Sequence, residues 1–421
     1  MVLIFFLDSH YGSDSTPKPK AQSVLSLAMS LFLGDVKEIE GKVVSTRRTI
    51  HQNPELSFRE EKTAKLVSEV LRSLDVRVKT RVGGNGVLGF LEGAKPGRVV
   101  ALRADMDALP LDEMSDVDFR SKVKGVMHAC GHDAHVAMLL GAAMLLAKHR
   151  DELHGTVKFL FQPAEEAGEL GGGAQPMIED GVMENPRVDY VFGLHIFANY
   201  PSRTFALREG AVMASSDTFR IRIRGPGGHG SAPHETVDPV YVAAQVVTSL
   251  QAIPARMIDP VEPLVVSVCT LHSGTKSNII PAEATLEGTL RTLSVVTNRR
   301  AKILISQIAK RVSRAFGAEC EVSIVDSNPI TRNDPSVTRR VSRILKTIPG
   351  TRTVETSPVL AAEDFSRYLQ KVPGTYYFLG THNKSKGSVY PNHSPQFKVD
   401  EGVLKYGSLS LALLASEFGR E

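Results

Sequence analysis

A chain of 421 residues has room for two or three domains at roughly 150 residues each. Its hydrophobic fraction of 42% and charged fraction of 23% are ordinary for a soluble globular protein. The formal net charge of +4 comes without any block of like charge, too weak a bias for nucleic acid or a membrane surface as partner.

Val2–Leu7 is an apolar run without the basic residue and longer apolar core of a signal peptide. Val24–Leu33 is apolar but shorter than a membrane span. Residues 1–33 are therefore read as a partly disordered extension. Ser57-Phe58-Arg59-Glu60 fits a capping box ahead of a helix whose Ala64, Val67, Val70, Leu71 and Leu74 share one face. Val76–Val82 alternates like a strand, and Asn85-Gly86 signals a hairpin before Val87–Leu91. Gly84-Asn85-Gly86-Val87-Leu88-Gly89 matches a dinucleotide fingerprint, but that fingerprint must open a helix, and here a strand follows. Val99–Arg103 reads as a buried strand ending in Ala104-Asp105-Met106-Asp107. A helix is predicted over His132–Lys148, a strand over Thr156–Phe161, a short helix over Pro176–Met183 and a strand over Tyr190–Leu194 that ends at His195. Strands alternating with helices predict an α/β fold, an open sheet covered on both faces, with ligands at the carboxyl ends of the strands.

The pattern changes at Thr218–Arg224, which alternates strictly between Phe219, Ile221, Ile223 and three arginines. A helix near Pro239–Ala252, strands near Leu264–Leu271 and Ala284–Leu290, a helix near Asn298–Phe316 and a strand near Glu321–Val325 follow. The order β-α-β-β-α-β is that of a ferredoxin-like unit. It is read as an inserted lid and dimerisation domain over residues 213–327, between catalytic segments 34–212 and 328–421. A strand at Thr375–Gly380 and a helix from about Gly402 close the chain.

The chemistry concentrates in two places. Met127–His135 packs a thiol, three imidazoles and a carboxylate into nine residues before an apolar helix, and Gln162–Glu166 follows at the next strand end. Cys130 and His132, two apart in a turn, are close enough to share a metal site. Glu166, His195 and the Pro-flanked His393 supply further donors. Five mixed ligands exceed the three of a usual catalytic single-zinc site. The count points to two metals about 3.5–4 Å apart sharing a water. Thiolate and imidazole favour zinc, while carboxylates tolerate manganese or cobalt. In the Glu165-Glu166 pair, one carboxylate on metal leaves the other free to move a proton. A lone histidine or a Glu-Glu pair is usually surface or a satisfied core group, and His149 and His154 are read that way. His128 and His135 stay open between metal ligand and hydrogen-bond partner of one. Three cysteines are too few and too odd for a disulfide scaffold and fit the reducing cytoplasm, with Cys269 read as a small core residue.

His128-Ala-Cys-Gly-His-Asp-Ala-His135, Pro163-Ala-Glu-Glu166, Gly227-Gly-His-Gly-Ser-Ala-Pro-His234 and Ser277-Asn-Ile-Ile-Pro281 resemble the aminoacylase–carboxypeptidase family of dinuclear metallohydrolases. Within it, the chain is similar to hippurate hydrolases, auxin-conjugate amidohydrolases and thermostable microbial carboxypeptidases, from about Asp35 onward. The resemblance implies metal ligands at Cys130, His132, Glu166, His195 and His393, a general base at Glu165, and a supporting aspartate at Asp107. It implies a lid that pairs copies into a homodimer or homotetramer. In relatives the histidine matching His229 crosses the dimer to stabilise an oxyanion, worth a few kcal/mol. Asn278 matches a lid residue of that pocket, and Arg291 an arginine whose fork grips a substrate carboxylate. Many members carry His-x-Asp where this chain has Asp105-Met106-Asp107, which leaves the bridging ligand open. The implied activity is metal-dependent hydrolysis of the amide beside a free α-carboxylate in short peptides and N-acyl amino acids. The alternatives are a strict N-acyl-amino-acid amidohydrolase and a non-catalytic binding homologue; the latter is disfavoured because no ligand or base is missing.

Overall fold

The structure, a computed structural model, describes residues 20–168 and 171–421, with side chains from residue 28 onward. The first segment runs α1 (Lys20–Gln52), α2 (Glu61–Ser73), β1 (Arg77–Val82), β2 (Gly86–Glu92), β3 (Lys95–Asp105), α3 (His132–Lys148), β4 (His154–Gln162), α4 (Ala174–Glu179), β5 (Tyr190–Pro201), β6 (Thr204–Leu207) and β7 (Gly210–Met213). The middle runs β8 (Ser216–Arg224), β9 (Gly228–His229), α5 (Pro239–Leu250), β10 (Leu264–Ser273), β11 (Ile279–Ile280), β12 (Glu283–Thr292), α6 (Val295–Ala315) and β13 (Glu319–Asn328). The last segment holds β14 (Thr331–Asn333), α7 (Pro335–Leu345), β15 (Arg352–Glu355), α8 (Ser366–Leu369), β16 (Gly374–His382) and α9 (Leu404–Gly419).

The first and last segments build one eight-stranded sheet, ordered β1-β2-β4-β3-β5-β16-β6-β15. Its centre, β4-β3-β5-β16, is parallel, so those strands end at one side. The parallel strands are apolar almost throughout because helices cover both faces. Helices α1, α3 and α9 pack together on one face. Met177, Phe365 and Tyr368 fill the other. Helix α3 is buried nearly all round, as a core helix should be. Truncating Leu139 or Leu413, both fully buried there, would cost about 2–5 kcal/mol.

The middle segment forms a separate four-stranded antiparallel sheet, β10-β12-β8-β13. The alternation in β8 sends Phe219, Ile221 and Ile223 into a core shared with α5 and α6. The arginines face the other way, and Arg220 and Arg224 pair with Glu287, Glu283 and Glu321 on neighbouring strands.

Several sequence expectations are corrected. Residues 28–33 are not an extension: Ala28, Met29 and Phe32 are buried, continuing through Val36, Val43 and Ile50 as one helical stripe. Residues 1–19 lie outside the described part. Ser57–Glu60 is not a capping box, since the Glu55 carboxylate accepts from Lys62 N (3.0 Å) and Thr63 N (2.9 Å) and does the capping. Cys269 is exposed, because the register of β10 slips between Val268 and Thr270 and turns it out of the alternation.

Candidate metal centre

The site forms where β3, β4 and β5 meet the turn into α3. Asp105 ends β3 beside Gln162, the last residue of β4. The turn passes through Gly131 at φ 94°, a backbone that favours glycine, and α3 opens on His132. His195 does not end its strand as expected. Strand β5 runs on to Pro201 while its pairing with β3 stops at Gly193, so His195 lies on the overhang. His393 arrives on a loop tied to both neighbours. Its N–H donates to Ala129 O (2.8 Å), and Asn392 Nδ2 donates to Cys130 O (2.9 Å) and Ile196 O (3.1 Å).

Cys130 Sγ lies 3.4 Å from His195 Nε2 and 3.3 Å from His393 Nε2. Glu166 Oε1 lies 3.3 Å from His393 Nε2 and 3.9 Å from His132 Nε2. The donor atoms of Cys130, His132 and His195 fall within 4.8 Å of one another, and so do those of Cys130, Glu166 and His393. Two three-donor groups therefore share one sulfur. Among the described residues, His132 Nε2 and Glu166 Oε1 are buried without a hydrogen-bond partner. Buried polar atoms of this kind are costly unless something binds them. Thiolate, imidazole and carboxylate in this arrangement fit a pair of borderline divalent ions.

A second set of contacts holds these donors still. Asp107 faces His132 Nδ1 through Oδ1 (3.1 Å), while its Oδ2 accepts from Ser57 Oγ (2.7 Å) and Glu166 N (3.0 Å). His195 Nδ1 donates to Ile196 O (2.6 Å), leaving Nε2 to face Cys130. His135 is a support: its Nε2 accepts from Ile196 N (2.8 Å) and its Nδ1 donates to Asp105 (2.5 Å). His128 is buried with neither ring nitrogen partnered, and burial holds it neutral, pushed down to about 4.

Beneath the cluster lies Arg103, fully buried. Its Nε donates to Gln162 Oε1 (2.9 Å) and its terminal nitrogens reach Asp105 (2.6 Å), Asp364 (2.8 Å) and Glu363 (2.9 Å). Asp364 also accepts from Gly173 N and Ala174 N, fixing the chain after the Glu165-Glu166 turn.

Electrostatics match the geometry. Burial keeps the His195 ring neutral, its lone pair available. Burial also opposes charge on His132, but Asp105, Asp107 and Glu166 outweigh it and push it up to about 10. Burial and the Glu166, Glu165 and Asp105 carboxylates push the Cys130 thiol well up. Glu165 is raised well above the usual carboxylate range by burial, then by Glu363, Glu166 and Asp364. Negative groups that raise one another in this way stabilise positive charge placed among them.

The cluster opens into a cavity of about 680 Å³. Cys130, Glu165, Glu166, His195 and His393 line one wall; Arg291 and Ser216 enter from the lid side; Phe197, Met213 and Leu360 add apolar surface. A larger groove, about 890 Å³, lies between α7 and β15 and contains none of these donors. His229 and Asn278 do not line the cavity. They sit together on the exposed β9–β11 pair, where Gly230 N donates to Asn278 O (2.9 Å).

Sequence reasoning missed Arg103, Glu363, Asp364, Ser57 and Glu60. A charge closing the apolar run Val99–Arg103 and an acidic pair before Phe365 were the available signals.

A mostly parallel α/β sheet with a thiol–imidazole–carboxylate cluster at its strand ends, roofed by an inserted α+β unit, defines a metallohydrolase. The chain belongs to peptidase family M20/M25/M40, whose sequence model matches residues 101–417. Thermostable carboxypeptidase 2 of Saccharolobus solfataricus is 56% identical over 389 residues, covering 92% of this chain and 98% of that protein. IAA-amino acid hydrolase ILR1-like 4 of Arabidopsis thaliana is 40% identical over 381 residues, 89% of this chain and 85% of that protein. The crystal structure of the Bacillus subtilis YXEP protein, described as a dinuclear metal binding peptidase of the M20 family, matches with a TM-score of 0.79 at 34% identity. It covers 90% of this chain and 98% of that one.

Proposed function

We propose that the chain hydrolyses the amide bond beside a free α-carboxylate in short peptides and N-acyl amino acids. The observation that carries this reading is one cavity lined by Cys130, His195, Glu166 and His393 from the two three-donor groups, together with the buried Glu165 carboxyl and Arg291. We assign Cys130, His132, Glu166, His195 and His393 as ligands of two divalent ions. Cys130 would be held in common by the two donor groups, because its sulfur belongs to both. Thiolate and imidazole favour zinc over manganese or cobalt. When bound, such a pair lowers the pKa of a water and polarises a scissile carbonyl.

Glu165 takes the proton of the attacking water and returns it to the leaving nitrogen. Burial, then the neighbouring Glu363, Glu166 and Asp364 carboxyls, raise its pKa. Asp107 fixes the His132 ring and the Glu166 backbone. Arg291 pairs its guanidinium fork with the substrate carboxylate, which places the adjacent amide over the cluster. His229 and Asn278 lie outside the cavity of their own chain, so we assign them to the oxyanion in a second copy. The working unit is then at least a homodimer joined through the lid. We take residues 213–327 as that lid. Residues 34–212, extended back through α1, and 328–421 form the catalytic domain. All three cysteines are free, which supports a cytoplasmic setting. No helix among the described residues is long and apolar enough to cross a membrane.

The test is Glu165→Ala, assayed on N-benzoyl amino acids and dipeptides, with metal content measured in parallel. Turnover should fall by about 10²–10⁴ with both ions retained. Near-normal turnover with full metal overturns the assignment.

A further inference from the structure

The Glu165-Glu166 turn has an unusual backbone. Ala164, immediately before the assigned base, is fully buried and adopts φ 54°, a left-handed conformation that a residue with a Cβ takes only when its surroundings hold it there. That conformation sets the direction in which the chain enters the Glu165-Glu166 pair, both of which line the cavity. In an extended segment neighbouring side chains point to opposite faces.

The group that holds it comes from 104 residues earlier in the chain. Glu60 Oε1 accepts from Ala164 N (2.9 Å) and also from Phe58 N (2.9 Å), and Phe58 too is left-handed, at φ 66°. Glu60 Oε2 faces Asn85 Nδ2 (3.3 Å). Glu60 is fully buried, does not line the substrate cavity, and does not cap the helix that follows it. Its carboxyl is thus committed to backbone around the site. The same loop holds the neighbouring strand end: Ser57 donates to Asp107, and Ala108 N donates to Glu55 O (2.8 Å).

We propose that Glu60 is a positioning residue for the general base: its carboxyl oxygen locks Ala164 in the left-handed turn that points Glu165 and Glu166 into the same cavity. Ser57 acts beside it through Asp107. The proposal rests on the reading of Glu165 as base, and it assigns the segment 55–60 a role in turnover.

The experiment compares Glu60→Ala, Glu60→Gln and the double variant Glu60→Ala/Ala164→Gly. Each is measured for kcat, KM, ions bound per chain and thermal midpoint, with Glu165→Ala as reference. Glutamine keeps an oxygen for the two N–H groups, so Glu60→Gln should retain at least a third of kcat. Glu60→Ala should lose at least tenfold in kcat, with KM within threefold and both ions bound. Glycine adopts the left-handed turn without help, so Ala164→Gly should recover at least threefold of that loss without restoring the thermal midpoint. The proposal is overturned if Glu60→Ala turns over within twofold of wild type while Glu165→Ala is dead. It is also overturned if kcat in Glu60→Ala falls only in step with lost metal or lost fold and glycine recovers nothing. An active Glu165→Ala would instead overturn the base assignment. If Glu60→Ala does not fold, Glu60→Gln with and without Ala164→Gly decides: a tenfold loss in kcat for Glu60→Gln that glycine does not relieve counts against the proposal.

Discussion

Replacing Arg103 with methionine removes the guanidinium that pairs with Asp105, Glu363 and Asp364, all buried with it under the metal centre. Methionine fills similar space with a flexible apolar chain, so the change is mainly in charge and hydrogen bonds. Breaking a buried ion pair by deleting one partner costs about 3–5 kcal/mol, because the remaining charge is left unpaired. Here three carboxyls and the Gln162 oxygen each lose one donor at once, which would argue for more. Two effects hold the figure down. Burial pushes Glu363 up to about 7, so it accepts a proton at neutral pH for little cost. Asp364 keeps Gln162 Nε2 and the backbone N–H groups of Gly173 and Ala174. The expected loss therefore stays at about 3–5 kcal/mol, or about 6–20 °C in thermal midpoint at about 2–4 °C per kcal/mol. The assay is equilibrium denaturation at fixed free zinc, because bound ligand adds its own stability. Arg103→Lys should fall between, since an ammonium cannot reproduce the fork. A loss under about 1 kcal/mol for Arg103→Met would refute the view that this guanidinium holds the floor of the site together.

Cys130→Ser should lose both ions in elemental analysis after dialysis, because one sulfur serves both donor groups; loss of a single ion would place Cys130 on one metal only. Arg291→Ala should lower kcat/KM by about 10–100-fold on substrates with a free carboxylate, the equivalent of about 1.5–3 kcal/mol for a charged hydrogen bond. C-terminally amidated analogues should change little, and an equal drop on both would remove Arg291 from carboxylate recognition. His51 is buried between Asp133 (2.8 Å) and Glu113 (3.1 Å); burial opposes its charge, but these carboxylates outweigh it and raise its pKa. A raised folded pKa means His51 stabilises the fold fully below the unfolded value near about 6.5 and loses that contribution as pH climbs through the folded value. His51→Gln should therefore be destabilised most at acid pH and approach wild type as pH rises; a gap that widens with pH would contradict the assigned charge.

What could and could not be read in advance follows from what each residue does. A metal ligand must be one of four residue types with a donor atom, and Cys130 and His132 stand together in a short turn, so their chemistry shows in the string itself. Glu165 and Glu166 were legible for the same reason. His195 was found as a residue but misplaced as a strand end, because the length of β5 relative to β3 is set by sheet partners far away in sequence. The supports were harder. Serine followed by glutamate three residues on serves equally as a helix cap or as two hydrogen bonds to distant backbone and side chain. Only the approach of residues 107 and 164 decides for the second at Ser57 and Glu60. Arg103 reads only as the last residue of a buried strand, because its three acidic partners lie two and about 260 residues away. Residues 28–33 read as extension because Val24–Leu33 is an apolar run shorter than a membrane span. Yet the buried positions Ala28, Phe32, Val36, Val43, Arg47 and Ile50 keep helical spacing through and beyond it. Arg47 even turns inward there to pair with Asp133, one residue beyond His132. Supports of this kind need only a hydrogen-bonding group of the right length, so many residue types and many positions satisfy them. The proposed catalytic set is therefore conspicuous in one dimension, while the lattice that aims it becomes visible only in three.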